Sequence, residues 1–167
     1  MSSYVSASYA LAGSTLLMFT ACFSEPPVDD GLSPPQSGVI AGDAVILTPI
    51  DAPHPVVLFL TNISVDEDGM PVYTTANLTV IPEDALSEGG AENGARTGAF
   101  AFPQVPPGTY VVSGIVDVDE NFNPLVPELA GPSAGDVPGG YVDPTTGALI
   151  PITLTGTEII GEITVVF

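Results

Sequence analysis

The chain has 167 residues, of which 20 are Asp or Glu and 1 is Lys or Arg, for a formal charge of -19. That surface repels phosphate backbones and has no cationic cluster to neutralise them, which excludes nucleic-acid binding; the same field attracts divalent cations or a basic partner, or serves as a solvated coat. With 45% hydrophobic and 13% charged residues, and 18 Gly and 18 Pro scattered without a period, the composition excludes a disordered chain and points to short strands joined by many turns.

The first element is a targeting segment. Residues 9–22, YALAGSTLLMFTAC, form an apolar run too short to span a bilayer comfortably, and it closes on small residues before the single cysteine. Residues 1–21 therefore read as a signal peptide. Phe19-Thr20-Ala21-Cys22 resembles a bacterial lipobox, with Phe19 in place of the usual Leu. The resemblance implies cleavage before Cys22, acylation of its thiol and attachment to the cell envelope, at the outer membrane of a bacterium. The alternative is a buried free cysteine behind an ordinary signal peptide or a short apolar helix. Residues 22–37 are polar, proline-rich and acidic, as suits a disordered, extended tether. A lone cysteine rules out an internal disulfide.

From Gly38 to Phe167 no window carries apolar residues at helical spacing, and short runs rich in Val, Ile, Thr, Tyr and Phe alternate with Pro, Gly and Asp clusters. Strands are expected at Gly38–Leu47, Val56–Ile63, Val72–Ile81, Gly98–Phe102, Thr109–Val118, Ala148–Thr155 and Ile159–Phe167. That pattern predicts one all-β domain, a two-sheet sandwich over residues 38–167. Residues 82–98 read as a mobile acidic loop with one helical turn at Pro82–Ser87, and Asn121–Gly140 as a second long loop. Alternation in TYVVSGIVDVD puts Tyr110, Val112, Gly114, Val116 and Val118 on the core face, with Val111, Ser113, Ile115, Asp117 and Asp119 on the other.

Gly98-Ala-Phe-Ala-Phe-Pro-Gln-Val-Pro-Pro-Gly-Thr-Tyr110, followed by a strand ending in Asp117 and Asp119, resembles the signature hairpin of carboxypeptidase-regulatory-like, or transthyretin-like, β-sandwiches. The likeness is close over this hairpin and topological elsewhere. It implies an immunoglobulin/transthyretin-like fold and an accessory role, binding or spacing, rather than catalysis. In such a hairpin Pro106-Pro107 pre-sets the turn, Gly108 supplies a positive φ and Tyr110 plugs the edge.

DVDENFNPLVPE, residues 117–128, places Asp117, Asp119 and Asn121 at alternate positions, Asn123 where a calcium loop uses a backbone carbonyl, and Glu128 at the twelfth. Calcium takes six to eight hard oxygens, about 2.3 to 2.6 Å away, so acids and amides at this spacing suit it. Phe122 stands where an EF-hand needs Gly, and Pro124 and Pro127 forbid the flanking helix, so the candidate is a calcium loop at a strand end. The alternative is an acidic loop whose Asp and Asn make turn hydrogen bonds. Asp66 and Asp68 in VDEDGMP read as a hairpin turn.

Nucleophilic catalysis lacks a base: the one histidine, His54, lies between prolines and reads as an exposed loop residue. There is no Cys/His cluster for zinc and no phosphate-binding glycine loop. The expectation is therefore a lipid-anchored, non-catalytic envelope protein that meets an envelope protein or glycan. Two alternatives stay open: a subunit that pairs its sheet edge with a larger assembly, and a small carboxylate-dependent hydrolase.

Overall fold

The computed structural model describes residues 36–88, 95–126, 129 and 131–167. The signal segment, Cys22 and most of the tether lie outside the described residues, as does Glu128. The domain is all-β: β1 (Gly38–Ile46), β2 (Val56–Val65), β3 (Pro71–Ile81), β4 (Ser87–Glu88), β5 (Arg96–Val105), β6 (Gly108–Val116), β7 (Val137–Gly140), β8 (Ile152–Leu154) and β9 (Ile159–Val166). Each expected strand is present, because β-branched and aromatic residues alternate there with polar ones. The expected helical turn is a single 3-10 turn at Glu83–Ala85. Strands β4 and β7 were not anticipated. β8 is shorter than expected because residues 148–150 return from a turn whose centre is Asp143: its Oδ1 accepts from Thr145 N at 2.8 Å and Thr146 N at 2.9 Å.

The strands follow one hydrogen-bonded path, β3-β2-β6-β7-β9-β1-β5-β4, with β8 also on β6. β1 and β9 are parallel and the other pairs antiparallel, so the sheet is mixed. The pairing runs through all the strands in one path, in which β7 joins β6 over four residue pairs and β9 through the single pair Gly140↔Val166. Curling closes the sheet around one core. Ile40, Ala44 and Ile46 of β1, Phe100 and Phe102 of β5, and Ile163 and Val165 of β9 join one cluster with Leu58 and Leu60 of β2, Val112 and Val116 of β6, and Leu154 of β8. Bulges help the curl: Gln104 and Glu162 take φ 55 and 62 where the β1–β5 and β1–β9 registers shift. At Gly42 a Cβ would lie 1.9 Å from the carbonyl oxygen of Ile163, so only glycine lets β1 and β9 approach this closely.

The β5–β6 turn is locked by Tyr110, whose buried ring sends its hydroxyl to the Pro106 carbonyl at 2.9 Å. The expectation for Gly108 needs correction. Its φ is not positive; the left-handed residue is Gln104, and Gly108 is small because Asn62 Nδ2 and the Tyr110 hydroxyl would lie 3.0 and 3.1 Å from a Cβ. Tyr110, Val112 and Val116 face the core as expected. Val111 and Ile115, on the opposite face, are buried too. Phe122 of the acidic loop packs edge-on against Phe59, with ring centroids 5.7 Å apart.

Candidate functional site

β6 stops at Val116, where the chain leaves the sheet as Asp117 N donates to the Pro55 carbonyl at 3.0 Å. Glu120, at φ 55, then reverses the chain. The two Asp117 oxygens hold the reversal, accepting from Asn121 N and Phe122 N, each at 3.1 Å. Asp136, immediately before β7, accepts from Val118 N at 3.1 Å and Ser133 N at 2.6 Å. Asp119 Oδ2 accepts both the Asn121 side-chain amide and the Ser133 hydroxyl, each at 2.8 Å. This web brings a carboxylate oxygen from each of Asp117, Asp119 and Asp136 within 4.8 Å of the others.

Three like charges so close repel one another. Asp117 is only 4% exposed, and its pKa stands above the ordinary carboxylate value. Loss of water by burial is the main cause; the Phe122 and Asn121 amides oppose it, and the charges of Asp136 and Asp119 add to it. A hard divalent cation between the three would reverse that balance, and an all-carboxylate donor set suits calcium rather than zinc.

Of the expected ligands, Asp117 and Asp119 are brought together. Asn121 lies beside both and uses its side-chain amide as a donor. Asn123, expected to offer its backbone carbonyl, makes ordinary turn bonds instead, its carbonyl accepting from Val126 N at 3.1 Å and its Oδ1 from Leu125 N at 3.0 Å. Glu128 lies outside the described residues. Asp136 was missed: its sequence signal was merely one more acid in a long loop, and only the closing of that loop against β6 brings it to Asp119. Asp66 is a turn residue as expected, its Oδ1 accepting from Asp68 N and Met70 N ahead of Gly69 at φ 77.

His54 is not the exposed loop residue expected. It is partly buried beside a cavity of about 290 Å3 lined also by Ile50, Val118 and Val137. Its Nδ1 lies 3.6 Å from Glu120 Oε1 and makes no hydrogen bond among the described residues. On the other side of the acidic loop runs a groove of about 460 Å3. Val57, Leu78, Val80 and Phe122 form its apolar floor, Pro55, Pro82 and Pro124 add to the walls, and Glu83, Asp117 and Glu120 bring carboxylates to it.

No known protein family matches the sequence, and no curated protein does. Among solved structures, the chain is similar to a leucine-rich repeat protein from Bacteroides thetaiotaomicron at 9% identity and a TM-score of 0.34. The match covers 81% of this chain but 14% of that one, and a likeness at this level carries no argument about fold or function.

Proposed function

We propose that the chain is a lipid-anchored protein of a bacterial envelope, held at the outer membrane through Cys22, whose β-domain is a non-catalytic binding or structural module organised by calcium. The observation that carries the calcium reading is the convergence of Asp117, Asp119 and Asp136 within 4.8 Å, with no Lys or Arg among them. Asn121 completes the turn around the ion, and Glu128 is retained as a further ligand. A non-catalytic role is favoured because both Asp117 oxygens accept backbone N–H groups, an arrangement that holds a loop rather than passing a proton. The hydrolase alternative draws on Glu83, Asp117 and Glu120 lining one groove, but an apolar floor with one aromatic ring, Phe122, is a poor cleft for a sugar chain.

The finer fold is proposed as a transthyretin-like sandwich of two packed layers, β3-β2-β6 with β7 and β8, and β9-β1-β5-β4. The single residue pair between β7 and β9 supports it. A second reading, pairing of a sheet edge with an envelope partner, is supported by β3. This edge strand runs 11 residues without a charge, from Pro71 to Ile81, and its first six residues are exposed. Mass spectrometry of the mature N-terminus tests the anchor: a diacylglyceryl-modified Cys22 supports it, and an unmodified Cys22 removes it. Melting with calcium and with chelator tests the ion, and a stoichiometric protein co-purifying from detergent extracts would favour the assembly.

A further inference from the structure

We propose that the groove between the outer face of the β2–β3 ribbon and the acidic loop is the docking site for a basic, apolar peptide segment of a partner protein. That segment has Lys or Arg side chains flanked by bulky aliphatic or aromatic ones. The inference rests on the reading of the domain as a binding module, and on neither calcium nor the anchor.

The ribbon register builds the floor. Cross-strand partners in an antiparallel pair share a face, and Val56↔Ile81 is turned to the core, so Val57↔Val80 and Phe59↔Leu78 point outward. Phe122 closes on Phe59 from the loop, leaving the groove between them and the 3-10 turn that carries Glu83. A volume of about 460 Å3 is that of a binding pocket rather than a packing gap. The same outward face continues through Thr61↔Thr75 and Ile63↔Tyr73 to Val65↔Pro71, where Tyr73 is 63% and Val65 71% exposed. An extended segment therefore meets apolar side chains at the groove and again near the hairpin tip, with Thr61 and Thr75 between them.

Charge selects the occupant. Glu83 and Glu120 bring two exposed carboxylates to the groove, beside the buried Asp117 whose oxygens are already held by the loop, and no Lys or Arg lines it. A neutral or acidic segment lying there would strip water from these acids and give nothing in return. A guanidinium or ammonium meets them with charge-assisted hydrogen bonds while its aliphatic stem lies along Val80 and Leu78. A second copy of this chain is a poor occupant, since each carries a net charge of -19.

The test uses the full chain in detergent and three capped, fluorescein-labelled peptides read by fluorescence anisotropy. In the first, arginines alternate with Leu and Phe; in the second, citrulline replaces arginine; in the third, Ser replaces Leu and Phe. The first is expected to bind at least about tenfold more tightly than either control at about 0.15 M salt. Its affinity should fall about tenfold in Glu83→Gln/Glu120→Gln and again in Val80→Ser, all at exposed positions, with melting curves confirming the variants are folded. Failure of the first peptide to bind overturns the proposal. So does equal binding of the Ser peptide, which would mean attraction to acidic surface anywhere, or affinity unchanged in the variants. Peptide binding without a calcium-induced melting shift leaves the groove standing and removes the ion; a calcium shift without peptide binding does the reverse.

Discussion

Asp119→Asn separates calcium binding from turn formation, because Asn121 Nδ2 and Ser133 Oγ both donate to the same Asp119 oxygen. The carbonyl of an asparagine at 119 can accept both, so the turn survives while one of three charges is lost. Two unit charges within 4.8 Å of each other repel by about 1 kcal/mol in a water-like dielectric. Removing Asp119 relieves two such pairs, about 1 to 2 kcal/mol at low salt and less as salt rises. For a domain of this size about 1 kcal/mol shifts Tm by about 4 °C, so without calcium the variant should melt about 4 to 8 °C above wild type. Calcium at about a hundredfold over its Kd adds about 2.7 kcal/mol, or about 11 °C, to wild type and little to the variant. Calorimetry of both proteins in low salt, with calcium and with EDTA, should therefore show their stability order reverse. A wild type indifferent to calcium, or a variant that gains as much, would falsify the metal assignment.

Tyr110→Phe removes the buried hydroxyl that donates to the Pro106 carbonyl and should cost about 1 to 2 kcal/mol by urea unfolding with an unchanged m-value. Gly42→Ala would push a methyl group into the Ile163 carbonyl; we expect a loss of about 3 kcal/mol or more, or no soluble protein, in the same assay. The pH dependence has two opposed parts. Folded Asp117 keeps its proton above the ordinary carboxylate value of 3.8, so stability without calcium falls as pH rises from there through the raised native value. Wild type should lose Tm relative to Asp117→Asn across that window. Asp143, held below its ordinary value by the Thr146 and Thr145 amides, contributes stability above pH 3.8 that disappears as pH falls through its lower native value. The acid limb of a Tm profile should therefore flatten in Asp143→Ala.

The strands were legible where one side chain in two is apolar and β-branched, as in Tyr110–Val116. β7 was not, because Val137-Pro138-Gly139-Gly140 carries no alternation and becomes a strand only by pairing with Ser113–Val116. β4 is two polar residues held by Thr97 and Arg96 of β5, again a tertiary effect. The local half of the site, Asp117, Asp119 and Asn121, was visible because a turn places near neighbours together. Asp136 and His54 were not, since their positions depend on loop closure and on a β1–β2 connection that folds over β6's end. Burial of Val111 and Ile115 escaped notice because alternation tells which face a residue takes, not what later covers that face.

The placement of β1 has a mechanical meaning. Residues 36 and 37 lead directly into Gly38, so tension applied to the chain ahead of them would enter the domain at this strand. β1 is an interior strand, bonded along its length to β5 on one side and β9 on the other. A strand at the rim peels away one bond at a time, whereas extraction of β1 must shear two ladders at once and open the core over Ile40, Ala44 and Ile46. Load arriving from that direction would be met by a strand paired on both sides, while the β2–β3 ribbon is separated from β1 in the strand order by β6, β7 and β9.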